Sequence, residues 1–179
     1  MGQDVFISYS SRDKPTADAV CAGLESSGVR CWVAPRDILP GMSWSAALIE
    51  AIETSRLMVV ILSTSSNTSP QVGREVERAV SRGLPILPFR IEDVMLSKSM
   101  EYYLSTPHWL DAITPPLERH IRELVRTVAL LLDRTDIVSE EVQEAAEQVI
   151  PPFEERTPDD WSKPKGRVGR FLHSLLEDR

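Results

Sequence analysis

The constraint that narrows the fold most is the spacing of five short apolar runs. They cover Asp4 to Tyr9, Val29 to Val33, Leu57 to Leu62, Leu84 to Ile91 and Pro107 to Asp111. Each is of strand length, and most are rich in β-branched or aromatic residues. The segments between them repeat apolar residues at helical spacing. Ala17, Val20, Cys21 and Leu24 form one such stripe, and Trp44, Ala47, Leu48, Ala51 and Ile52 a second. Leu117, Ile121, Leu124, Val125, Val128 and Leu132 form a third. Strands that alternate with helices predict an α/β chain whose five-stranded parallel sheet is covered on both faces. This is a flavodoxin-like three-layer sandwich with right-handed crossovers.

Turn residues set the expected boundaries. Ser11 or Asp13 is placed to cap the first helix, and Gly28 to end it. Ser43 is expected to cap the second helix. A Ser/Thr/Asn-rich turn follows the third strand, and Asn67, Thr68 or Ser69 caps a helix that runs to about Arg82, with Pro70 in its first turn and Gly83 behind it. The segment from Glu92 to Ser105 shows helical character near Ser99 to Leu104. The last helix is expected from Thr114 to about Leu132. Residues 1–133 thus read as one domain. Residues 134–179 read as a Pro/Glu-rich extension, mostly irregular, with short helices over Ser139 to Val149 and Arg167 to Leu176. It carries too little apolar mass for a second core, and folding back and docking a partner are both open to it.

Charge removes several functions. The chain has 27 acidic and 20 basic residues, a formal net charge of −7, which argues against direct nucleic-acid binding. No apolar run approaches the ~20 residues of a membrane span, and the N-terminus lacks a basic segment followed by an apolar one. Neither membrane insertion nor secretion is therefore expected, and a cytoplasmic location is. Cys21 and Cys31 read as buried free thiols. They and the scattered His108, His120 and His173 offer no metal-ligand spacing, so no metal is expected.

The chemistry must lie where polar residues follow strands. The first turn, Ser8-Tyr9-Ser10-Ser11-Arg12-Asp13, has no glycine and cannot be a dinucleotide fingerprint. Ser63 stands where a phosphate-accepting receiver needs Asp. No P-loop and no Ser/His/Asp set is present. What remains is the first turn, the proline-shaped loop from Ala34 to Met42 with Arg36 and Asp37, and Glu75 in the second turn of its helix. Glu75 lies close to the carboxyl edge of the sheet, where open α/β proteins bind ligands. Helix statistics alone favour reading Glu75 and Glu77 as solvated charges.

Three stretches carry a family resemblance. Asp4-Val5-Phe6-Ile7-Ser8-Tyr9-Ser10-Ser11-Arg12-Asp13 resembles the opening box of a TIR (Toll/interleukin-1 receptor) domain of the bacterial kind. Cys31-Trp32-Val33-Ala34-Pro35-Arg36-Asp37-Ile38-Leu39-Pro40-Gly41 resembles its second strand and BB loop. Ser69-Pro70-Gln71-Val72-Gly73-Arg74-Glu75 resembles the helix with the family's catalytic glutamate. The likeness spans about residues 4–132. It implies an enzyme that cleaves NAD⁺ between nicotinamide and ribose, a glycohydrolase or an ADP-ribosyl cyclase, serving antiphage immune signalling. NAD⁺ is then the substrate and no cofactor is implied. Glu75 becomes the catalytic carboxylate. Tyr9, Ser10, Ser11, Arg36, Asp37, Gly41, Ser43, Trp44 and Gln71 become the expected substrate cleft. Arg36 is expected to meet a phosphate. Trp44 is expected either to stack on a base or to fill the core. The resemblance also implies partners: other TIR domains, bound through the BB loop in an oligomer or filament. A sensor or effector on the extension is a further expected partner. One departure is Gln71, because many active TIR enzymes have an aromatic residue four before the glutamate. Two other readings stand beside the enzyme: a non-catalytic TIR–TIR scaffold, and an N-glycosidic enzyme akin to nucleoside deoxyribosyltransferases.

Overall fold

The computed structural model describes residues 2–38, 40–41, 43–105 and 107–133. The expectations for 134–179, both short helices and the docking role, lie outside the described residues. Five strands form one parallel sheet: β1 (Val5–Ser8), β2 (Cys31–Val33), β3 (Leu57–Leu62), β4 (Ile86–Arg90) and β5 (Leu110–Asp111). Their order is β2-β1-β3-β4-β5. β3 is central, and β1 beside it is also an inner strand, with Val5 paired to Cys31 on one side and to Leu57 on the other. The helices are α1 (Lys14–Ser26), α2 (Trp44–Thr54), α3 (Thr64–Asn67), α4 (Pro70–Ser81), α5 (Lys98–Leu104) and α6 (Leu117–Leu131).

The strand period of two divides the core in half. Val5, Ile7, Val59, Ile61 and Phe89 point to the side covered by α1 and α6, where they meet Val20, Leu24, Leu124 and Val128. Phe6, Trp32, Met58, Val60 and Leu62 point to the side covered by α2, α4 and α5, where they meet Leu48, Ile52, Val72 and Val76. Phe6 and Trp32 stack there, with ring centroids 4.9 Å apart. α1 and α6 approach closely at Gly23, where an added Cβ would stand 2.5 Å from Ile121.

Several boundaries moved for physical reasons. α6 starts at Leu117 rather than Thr114, because Pro115 and Pro116 hold the chain extended and Pro116 becomes the residue before the helix. β5 shrinks to two residues, as the Trp109 ring turns to donate its Nε1–H to the Leu104 carbonyl (2.9 Å). β4 runs through Pro88. Ile91 N–H bonds the Leu62 carbonyl and Ala112 N–H bonds the Arg90 carbonyl, so the missing N–H of Pro88 faces away from β3, ahead of the point where β5 joins. The turn after β3 is itself one turn of helix, α3, closed by a reciprocal Ser63–Ser66 capping box.

Two expected caps are corrected. Asp13 and Ser43 precede α1 and α2, yet neither side chain bonds a helix N–H. Buried Asp13 instead accepts a hydrogen bond from Ser63 Oγ at 2.6 Å, which ties the β1–α1 turn to the end of β3. Burial holds the Asp13 carboxyl above its ordinary pKa, and the Ser63 bond opposes that rise. Ser69 does cap α4, accepting from Val72 N–H at 3.4 Å. Both cysteines are buried and free.

Ser63→Ala removes the donor to Asp13 and half of the α3 capping box together. It is expected to cost about 1–3 kcal/mol of stability, read as an earlier midpoint in urea unfolding with an unchanged slope. An unchanged midpoint would mean that this junction does not hold the rim together.

Candidate functional site

α4 places its acidic residue by simple geometry. Val72, Glu75, Val76 and Ala79 are its buried positions, spaced three, one and three residues apart, so Glu75 occupies the stripe that faces the sheet. Its relative exposure is 8%. The solvated-charge reading therefore holds for Glu77, which is exposed, and fails for Glu75. A carboxylate on an apolar stripe needs partners. Ser8 Oγ, at the carboxyl end of β1, donates to Glu75 Oε2 at 2.6 Å. Gln71 Nε2, one helical turn back, donates to Oε1 at 2.9 Å. Burial pushes the Glu75 carboxyl above the usual glutamate pKa. The Ser8 and Gln71 hydrogen bonds and the nearby Arg74 charge work against that rise.

A cleft of about 400 Å³ opens over this carboxylate, lined among others by Tyr9, Ser10, Ser11, Trp44 and Gln71. A second cavity of about 480 Å³ lies between α2 and α4 and shares Trp44, Leu48, Gln71 and Glu75 with the first. Both volumes lie in the range of small-molecule sites. Tyr9 is fixed by donating its hydroxyl to the Ala34 carbonyl. Burial raises the Tyr9 phenol pKa, and Glu75 is a smaller contributor to that rise. Trp44 is 50% exposed, so it does not fill the core. Its ring lies open beside both cavities.

Ala34 and Pro35, at the start of the loop after β2, line the cleft, but the charged residues that follow them are placed otherwise. Arg36 lies outside both cavity linings. Its guanidinium pairs with Glu25 (2.8 Å) and Asp37 (2.9 Å) and donates to the Cys31 carbonyl (3.0 Å) and to Cys21 Sγ (3.2 Å). Asp37 and Glu25 hold it firmly cationic. With its donors spent on α1 and β2, Arg36 is not set to meet a phosphate in this cleft. Asp37 is also structural here, since its carboxylate accepts the Val33 N–H at 2.8 Å. Gly41 takes a positive φ of 88° and is exposed, and Ser43 pairs with Ser45; neither lines the cavities. Among the described residues no group of His, Cys, Asp and Glu could hold a metal ion, and no helix is long and apolar enough to cross a membrane.

Ser8 was not among the expected site residues, although it touches Glu75 directly. The signal existed: Ser8 is the polar position that ends an otherwise apolar run, at the strand edge where ligands bind. Leu48 and Ser69, which also line the cleft, carried no such mark.

Residues 5–125, well over half of the chain, match the model of the TIR domain family. No curated protein matches the chain. Solved structures agree on the fold. The TIR domain of the Toll-related receptor TRR-2 from Hydra magnipapillata is 23% identical with a TM-score of 0.60, covering 70% of this chain and 98% of that one. The TIR domains of the activated Roq1 resistosome, which directly recognizes the pathogen effector XopQ, are 17% identical with a TM-score of 0.60, covering 71% and 99%. The CMP N-glycosidase BcmB from Clostridium botulinum is 15% identical with a TM-score of 0.50, covering 68% and 98%.

Glu75 titrates higher in the folded chain than in the unfolded one, so the folded state retains its proton longer. Stability therefore falls as pH rises from the ordinary glutamate value through the raised one. Glu75→Gln removes that loss. The variant is expected to melt a few degrees above the parent at ~pH 8 and to show no such advantage at ~pH 4. Equal melting temperatures at both would show that Ser8 and Gln71 fully offset the burial of the charge.

Proposed function

The chain belongs to the TIR domain family, and from that premise we propose that it cleaves NAD⁺ at the nicotinamide–ribose bond with Glu75 as its catalytic carboxylate. The observation that carries this reading is a buried glutamate, held by Ser8 and Gln71, that lines a cleft of small-molecule size. The chemistry suits a site with so few charged groups. Nicotinamide departs from a cationic N-glycoside as a neutral molecule, so no general acid is required. The C–N bond breaks with its electron pair going to nicotinamide, and an oxocarbenium ion develops on the ribose. A carboxylate already in place faces that charge and stabilises it without reorganising. Water then adds at the ribose carbon and gives ADP-ribose and a proton. If a nucleophile within ADP-ribose adds instead, the product is a cyclic isomer. The hydroxyls of Ser10 and Ser11 and the open ring of Trp44 supply polar and stacking contacts for the substrate. Trp44 provides the aromatic wall that residue 71 does not.

Self-association through the BB loop, with a role in immune signalling, belongs to the same proposal. The Roq1 assembly is a case in which TIR domains act within a larger complex. A second reading has one specific observation in its favour. The similarity to a CMP N-glycosidase fits a base other than nicotinamide as the leaving group at the same carboxylate. A scaffold that uses the fold without chemistry is the third, and a buried carboxylate open to a cleft argues against it.

Wild type and Glu75→Ala at high protein concentration, with products separated by chromatography, decide among these. The enzyme reading expects free nicotinamide from wild type and a loss of about 10³-fold or more in the variant. Release of a nucleobase from CMP with NAD⁺ left intact would favour the second reading, and no turnover of either substrate the third. Rate per subunit is also expected to climb with concentration as copies associate. A flat rate across a dilution series would remove assembly from the mechanism.

A further inference from the structure

We propose that Arg74 is a positioning residue for Glu75 and acts through Gln71: the guanidinium fixes the Gln71 amide so that its nitrogen, not its oxygen, faces the carboxylate. The inference rests on the NAD⁺-cleaving reading for its consequence in catalysis, but its geometry stands without it. Arg74 Nη2 donates to Gln71 Oε1 at 2.9 Å, and Gln71 Nε2 donates to Glu75 Oε1 at 2.9 Å. The three residues lie three and four positions apart on α4, the spacings at which helix side chains meet. A glutamine amide left to itself can present either end to a neighbour. The flipped form would set the amide oxygen against the carboxylate. A guanidinium has donors only, so an amide that bonds it must turn its oxygen that way and its nitrogen toward Glu75.

Arg74 is suited to this by what its neighbours do. Arg78, further along the same helix, and Arg82, just past its end, are both taken by Glu53. Among the described residues no ion pair engages Arg74, which is exposed and lines the cavity between α2 and α4. Its charge therefore polarises the Gln71 amide and strengthens the donor that reaches Glu75. The groups that face Glu75 are few. Gln71 and Arg74 come from its own helix, Ser8 from the end of β1 and Tyr9 from the turn just after it. The α2 residues that share its cavities, Trp44, Ser45, Leu48, Ile49 and Ile52, carry no charge; of the other charged residues lining them, Glu77 is exposed and Arg78 is taken by Glu53. Burial opposes ionisation of Glu75, and Arg74 is the one cation among these groups to favour it. The glutamine at 71 thus exchanges an aromatic wall for a hydrogen-bonded link between a surface cation and a buried carboxylate.

The test reads Glu75 itself. The full chain carrying ¹³C-labelled glutamate is titrated by NMR, with the Glu75 carboxyl assigned from its absence in Glu75→Gln. Arg74→Met is expected to move the Glu75 titration upward. Arg74→Lys, which keeps a charged donor, is expected to restore most of the wild-type midpoint. Gln71→Met also moves it upward, and in the double variant Arg74→Met adds only the through-space effect of its charge, less than it causes alone, because its route through the amide is gone. In parallel, Arg74→Met is expected to shift the acid limb of kcat/KM for NAD⁺ to higher pH and to cost roughly tenfold at ~pH 6, with far less loss at ~pH 8. A Glu75 titration unmoved by Arg74→Met, or additive shifts in the double variant, would overturn the proposal. If no NAD⁺ is consumed by any form, the titration still decides the link, and only the catalytic reading falls.

Discussion

A parallel sheet buries both of its faces, and this requirement organises the whole molecule. β1 is an inner strand with a neighbour on each side, so Val5 and Ile7 face one helical layer and Phe6 the other. Every strand that pairs with it must keep the same alternation, since a slip of one residue would exchange the two core halves. The carboxyl ends of β1 and β3 then emerge side by side. Ser8 and Ser63, each the first hydroxyl after an apolar strand interior, are brought to one rim without any sequence proximity.

That rim is assembled by two buried carboxyl–serine contacts, Glu75 with Ser8 and Asp13 with Ser63. Both carboxyls sit where burial opposes their charge, and both are held by a short hydroxyl donor. They differ in what lies above them. Asp13 joins the first turn to the end of β3 and acts as a structural tie. Glu75, held by Ser8 and Gln71, also lines a cleft of small-molecule size. A charge kept in so apolar a place lowers stability, a cost that functional sites commonly carry.

The loop after β2 shows the reverse. Arg36 and Asp37 have the look of binding residues, being charged, adjacent and set between prolines. In the fold they satisfy each other, the Val33 N–H and the Cys31 carbonyl, and so give the loop its shape. Arg74, which has the look of an ordinary solvated helix charge, is the cation that reaches the site, by way of Gln71. Charge identity alone does not separate these roles; the availability of an ion-pair partner does.

The sequence by itself determined the α/β class, the five strands, the main helices and the glycine stops at Gly28 and Gly83, because these follow from periodicity and local backbone preference, which act over a few residues. It also placed Glu75 at the sheet edge, and the Val72-Glu75-Val76-Ala79 stripe already holds the information that this carboxylate points inward. What only the tertiary structure decided are contacts between residues far apart in the chain. Ser8 meets Glu75 across 67 positions, and Asp13 turns from its helix to Ser63 across 50. Trp44 stays open beside the cleft rather than filling the core, and Arg36 turns away to Glu25. Each of these is a competition between a local partner and a distant one. The outcome depends on which desolvated groups the sheet brings together, a quantity that no short stretch of sequence contains.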